Sequence, residues 1–84
     1  SEQVALKTPE QKIQQKRERE RILLGLSRVS GKARSVLLLA DVMGYSYAET
    51  AGLLQCPIGT VMSRLHRARG KLRAALISQE QEQK

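Results

Sequence analysis

Tyr45-Ser46-Tyr47-Ala48-Glu49-Thr50-Ala51-Gly52-Leu53-Leu54-Gln55-Cys56-Pro57-Ile58-Gly59-Thr60-Val61-Met62-Ser63-Arg64-Leu65-His66-Arg67-Ala68-Arg69 is the stretch whose reading decides how this chain folds. Ser46 with Glu49 three residues later is a capping box, which starts a short helix with Tyr47, Thr50, Ala51 and Leu54 on one face. Gln55 and Cys56 form a turn, and Pro57 suits the first position of the next helix, where its missing N–H costs nothing. At about 100° per residue that second helix divides. Ile58, Val61, Met62, Leu65, Leu72 and Leu76 gather on one side with Ala68 at the edge, and Thr60, Ser63, Arg64, Arg67 and Lys71 on the other. A short capped helix, a tight break and a longer two-faced helix are the layout of a helix-turn-helix.

Upstream, residues 31–43 form a core helix. Ala33, Val36, Leu37, Ala40 and Met43 share a face, Leu38 and Leu39 widen it, Ser30 is placed to cap the start, and Gly44 suits a left-handed stop. Thr8-Pro9-Glu10-Gln11 is another helix start, and the helix it opens runs over residues 9–26. The first half of that helix is charged, with Ile13 as its one apolar residue and pairs such as Glu18 and Arg21 along it; Ile22, Leu23, Leu24 and Leu26 begin the part able to pack. The expected organisation is a charged lead-in or linker over residues 1–21, with residues 1–7 fraying, a helical domain over 22–77, and a disordered polar tail over 78–84. The fold class is all-α: a small helical domain with a C-terminal helix-turn-helix, preceded by a charged lead-in helix.

At 84 residues, 40% apolar, with two Tyr and no Trp or Phe, the chain holds one domain with an aliphatic core. Fifteen Lys and Arg against eight Asp and Glu give a net charge of +7, which makes a polyanion the first partner to consider. The distribution sharpens this. No acid occurs between Glu49 and Glu80, while Arg64, Arg67, Arg69, Lys71 and Arg73 all fall there.

One cysteine, Cys56, excludes an intrachain disulfide, and one histidine leaves no ligand set for zinc; no cofactor is expected. The apolar run over residues 36–40 is too short to span a bilayer, so no membrane insertion and a cytoplasmic location are expected. No nucleophile, base and orienting group recur and no glycine-rich phosphate loop is present, so an enzyme is not expected.

A major groove admits one α-helix, and arginine offers two parallel donors to guanine. Arg64 and Arg67 are therefore the direct-readout candidates. Thr60 and Ser63, near the helix start, suit phosphate or base-edge contact, and Lys71 and Arg73 suit backbone phosphate. His66 sits at the flank. Arg69 falls on the apolar side and is expected to pair with Glu49 or Asp41 rather than DNA. Cys56 is read as a small turn residue, and Tyr45 and Tyr47 as packing residues.

Residues 34–49, opening Arg34-Ser35-Val36-Leu37-Leu38-Leu39-Ala40-Asp41, together with the run Gly59-Thr60-Val61-Met62-Ser63-Arg64-Leu65-His66-Arg67-Ala68-Arg69, resemble region 4 of bacterial RNA polymerase sigma factors, most closely the extracytoplasmic-function group. The resemblance covers residues 22–77. It implies a four-helix domain that reads the −35 promoter element in double-stranded DNA through its last helix, docks on the β flap of RNA polymerase core, and is captured in many cases by an anti-sigma factor. By position, the family's DNA-facing residues fall on Thr60, Met62, Ser63, Arg64, His66 and Arg67.

Four departures stand out: Met62 where relatives often carry Lys or Arg, Val29-Ser30 for Leu-Pro, Glu49-Thr50-Ala51 for Glu-Ile-Ala, and Gly52 within the short helix. Region 2 of such factors has no counterpart in these residues, so the expectation is an excised domain or a stand-alone protein unable to open promoters alone.

Two other readings follow from the same residues. As a protein-interaction module the chain would bind polymerase or an anti-sigma partner through aliphatic grooves, leaving Val36, Leu38, Leu39, Leu23 and Leu24 partly exposed. As a dimeric repressor or response-regulator output domain it would bind two-fold half-sites.

Overall fold

A computed structural model describes residues 6–82. Its elements are α1 (Pro9–Ser27), α2 (Gly31–Val36) running directly into a π-helical segment (Leu37–Val42), α3 (Tyr47–Leu54) and α4 (Ile58–Glu82). The expected residues 1–5 of the fraying N-terminus, and residues 83–84 of the tail, lie outside the described part.

Both capping boxes form. The Gln11 N–H donates to Thr8 Oγ1 at 3.1 Å while Thr8 N–H donates to Gln11 Oε1 at 2.9 Å. At α3, Glu49 N–H reaches Ser46 Oγ at 3.0 Å, and Ser46 N–H reaches Glu49 Oε1 at 2.8 Å. Ser30 occupies the N-cap position of α2 with extended backbone, but its hydroxyl makes no cap hydrogen bond.

The core is aliphatic, built from Leu26, Val29, Ala33, Val36, Leu37, Ala51, Val61, Leu65 and Ala68. Leu37, Leu65, Val36 and Val61 are fully buried, each stabilising the fold by about 1.5–3 kcal/mol relative to exposure. Leu65→Ala would remove the packing at the centre, at a cost of about 2–5 kcal/mol.

The core helix departs from its expected form. It is α-helical only to Val36, after which Leu37–Val42 is π-helical, with the Met43 N–H bonding Leu38 O five residues back at 2.8 Å. The wider turn makes the side chains lag behind the 3.6-residue period. Met43, expected over the core, is consequently 61% exposed, whereas Val36 is buried rather than available to a partner. Gly44 ends the element with φ 81° as expected, and Tyr45 N–H closes onto Leu39 O at 3.0 Å.

α1 joins the core through its second half only. Gly25 and Leu26 are buried, Leu23 and Leu24 stay exposed, and residues 9–20 are exposed throughout. An exposed ion pair at 3.0 Å links Arg21 and Glu18 as expected. Gly25 lies close against α4: a Cβ there would stand 2.7 Å from Leu76 Cδ2 and 3.1 Å from Leu72 Cδ1. The end of α1 is closed from a distance. Arg34 of α2 donates from Nε to Leu26 O at 3.1 Å and from Nη2 to Val29 O at 2.9 Å, supplying the positive charge that the last turn of α1 lacks.

The polar tail is a correction. Residues 78–82, expected to be disordered, continue α4, because polar side chains there have partners on α1 and at its C-cap. Gln79 is buried and donates to Arg21 O at 3.3 Å, Glu80 pairs with Arg21 at 3.2 Å, and Glu82 pairs with Arg28 at 3.2 Å.

Candidate nucleic-acid interface

The turn before α4 is fixed by backbone hydrogen bonds. Gln55 adopts the left-handed conformation (φ 56°, ψ 50°), Cys56 N–H donates to Ala51 O at 3.0 Å, and Gln55 N–H donates to Gly52 O at 3.3 Å. This pair of closures is a Schellman motif with glutamine where glycine is usual. Pro57 then stands one residue ahead of α4 rather than at its first position, and its carbonyl accepts from Thr60 and Val61 at 3.0 and 3.2 Å. The crossing of α3 and α4 is thereby set by the chain itself.

Val61, Leu65 and Ala68 dock α4 on the core, as their spacing requires. Ile58 and Met62 do not share that burial, being 49% and 53% exposed. The reason is geometric: α3 has only eight residues and covers a narrow strip, so apolar residues at the edge of the helical face remain in solvent. Met62, grouped by its spacing with the apolar side, thus lies on the accessible surface.

Opposite the docking strip, at about 100° per residue, Gly59, Ser63 and Gly70 form the middle of the outward face. On one flank stand Thr60, Arg64, Arg67 and Lys71, and on the other Met62, His66 and Arg73. Thr60 and Arg64 are half-buried; Ser63, His66, Arg67, Lys71 and Arg73 are exposed. The two flanks separate Lys71 from Arg73, which the sequence reading had paired. Ser63 Oγ donates to Gly59 O at 3.1 Å, so in this rotamer it presents lone pairs outward. That suits a base-edge amino group, whereas a phosphate contact requires the hydroxyl to leave Gly59.

Which cations are committed elsewhere is equally informative. Arg69 grips Asp41 with two bonds, Nε to Oδ2 at 2.9 Å and Nη2 to Oδ1 at 2.7 Å, which selects Asp41 over Glu49 as its partner. The Arg69 hydrogen bond holds the Asp41 carboxyl below its ordinary range, and Asp41, with a further contribution from Tyr47, keeps the guanidinium charged. Glu49 titrates below its ordinary range too, chiefly through the Ser46 backbone N–H of the capping box. Arg21 and Arg28 pair with acids and Arg34 with carbonyls. Among the described residues no ion pair engages Arg64, Arg67, Lys71 or Arg73.

One residue escaped the sequence reading. A shallow hollow between α2 and α4 is lined by Ser30, Lys32, Ala33, Arg64, Arg67, Ala68 and Lys71. Lys32 enters this surface from a different helix, so no periodicity within α4 could have indicated it. No group of three or more His, Cys, Asp or Glu suited to a metal occurs among the described residues, and no helix there is long and apolar enough to cross a membrane.

Comparison with known proteins gives a consistent result. The family model described as Sigma-70, region 4 matches residues 19–72. The chain is 37% identical over 57 residues to the ECF RNA polymerase sigma factor EcfG of Rhodopseudomonas palustris, a match covering 68% of this chain and 32% of that protein. It is 49% identical over 41 residues to the probable RNA polymerase sigma-C factor of Mycobacterium bovis (49% and 22% covered), and 46% identical over 43 residues to the RNA polymerase sigma-H factor of Pseudomonas aeruginosa (51% and 22%). The chain therefore spans about a third or less of the length of these relatives.

Proposed function

The chain belongs to the sigma-70 region 4 family, and from that premise we infer that it is the module with which an extracytoplasmic-function sigma factor reads the −35 promoter element during transcription initiation. The observation that carries this reading is the sorting of cations. Arg21, Arg28 and Arg69 are matched to acids and Arg34 to carbonyls, while among the described residues no ion pair engages Arg64 or Arg67, which flank the outward face of a helix whose entry is fixed by a Schellman turn.

In the groove, Arg64 and Arg67 supply paired donors to base edges, Ser63 a base-edge acceptor, and Thr60 and His66 flanking contacts. Lys71 and Arg73, on opposite flanks, suit the two phosphate walls. The partners are promoter DNA and RNA polymerase core through its β flap, with an anti-sigma factor as a further one, and the setting is the cytoplasm. No catalytic role is assigned.

Selection from randomised duplexes tests this reading. One enriched motif resembling a −35 element, bound as a single site, supports it; no enrichment, or a palindrome with two half-sites, contradicts it. A second reading has its own observation, the exposed Leu23 and Leu24 on α1 and the exposed Val42 and Met43 at the end of the π-helical segment. These are available to a protein partner. Capture by the isolated β flap that survives joint loss of Arg64 and Arg67 would favour protein docking as the primary role.

A further inference from the structure

We propose that Lys32 of α2 joins Lys71 of α4 in binding backbone phosphate at the hollow they share with the base-reading Arg64 and Arg67, a clamp on the DNA backbone supplied in part from outside the helix-turn-helix. The proposal rests on the DNA-reading assignment above. Its own support is the hollow between the two helices, whose lining holds four cationic side chains, one hydroxyl residue, two alanines and no acid. Among the described residues none of the four cations is in an ion pair.

Like charges gathered around one concavity without a counter-charge raise the energy of the free protein, and an entering phosphate relieves it. The same chain places acids beside Arg21, Arg28 and Arg69, so its outer helices are not simply basic everywhere. Lys32 is exposed, and its flexible stem ends in a compact ammonium, which serves as a point charge for phosphate rather than a reader of bases. Because Ala33 and Ala68, which line the floor, are both buried core residues, α2 and α4 are locked together beneath the site. The spacing of Lys32 from Arg64 and Arg67 is therefore set before DNA arrives.

Two features distinguish this role from general positive charge. A phosphate contact changes the salt dependence by about one counterion, whereas a base contact changes discrimination. And Lys16, exposed on α1 and outside the hollow, provides a substitution with the same loss of charge.

The test is fluorescence-anisotropy titration of the full chain with the selected duplex and a scrambled one, over a series of salt concentrations. Lys32→Ala is expected to weaken both duplexes by the same factor and to reduce the slope of log K against log salt by about 0.9. Lys16→Ala should keep the wild-type slope, Lys32→Arg should restore it, and thermal melting of Lys32→Ala should match wild type. Inorganic phosphate at matched ionic strength should not displace the duplex. A wild-type slope for Lys32→Ala, an equal loss for Lys16→Ala, or displacement by free phosphate overturns the backbone clamp, even while wild type still prefers the selected duplex. Absence of any preference in wild type is the separate result that removes the DNA-reading assignment, and the clamp with it.

Discussion

Arg69 on α4 and Asp41 at the end of the core helix face each other fork to fork, with donor–acceptor distances of 2.9 and 2.7 Å across 28 positions of sequence. This contact ties the π-helical segment to the middle of α4 and engages the Arg69 guanidinium with an acid. Both side chains are more than a third exposed, so solvent screening limits the pair to less than about 1 kcal/mol.

Asp41→Asn is expected to lower stability by about 0.5 kcal/mol at neutral pH, read from the midpoint of urea unfolding. The folded-state carboxyl titrates below its unfolded value of 3.8. Its contribution is therefore fully present above that value and disappears as pH falls through the lower folded-state value. The gap between wild type and Asp41→Asn should close in that acid window. Arg69→Gln should show a similar stability loss at neutral pH and leave DNA discrimination intact.

Thr50 has no exposed surface, and its Oγ1 has no hydrogen-bond partner among the described residues. Valine has nearly the same shape without the hydroxyl. Thr50→Val should stabilise the domain by about 1 kcal/mol, seen as a higher urea midpoint at unchanged slope. Destabilisation would mean that the hydroxyl is satisfied in solution.

Deletion of residues 78–84 separates a disordered tail from a packed one. The helical extension buries Gln79 against α1 and places Glu80 and Glu82 on Arg21 and Arg28. Loss of those contacts should cost about 1 kcal/mol, because the buried stem of Gln79 stabilises the end of α4 while its buried Oε1, without a partner among the described residues, offsets part of that gain. Unchanged melting on deletion would show that the extension contributes nothing.

Local chemistry made much of this fold readable in advance. The Thr8 and Ser46 capping boxes, Gly44 at a positive φ, and the docking strip Val61, Leu65 and Ala68 each depend on residues within two helical turns. Even the Asp41–Arg69 contact was one of two options left by the helical wheel. What could not be read depends on distant partners or on a changed period. The π-helical turns displaced Met43 from the core, the partners of Gln79 and Glu80 lie on α1, and Lys32 reaches the hollow from α2. The wheel also overstated the apolar face of α4, since a face becomes core only where another element covers it, and α3 is too short to cover Ile58 and Met62.

The outward face of α4 is the centre of the functional reading, and the contrast between Arg67 and Lys71 tests it most directly. The measurement is the ratio of dissociation constants for the selected and scrambled duplexes, at one fixed salt concentration, for wild type, Arg67→Ala and Lys71→Ala. Arg67→Ala is expected to lose about 1–3 kcal/mol of discrimination, a five- to more than hundredfold fall in the ratio. Lys71→Ala should weaken both duplexes equally and preserve it. Equal effects of the two substitutions on both duplexes would contradict sequence reading by this face.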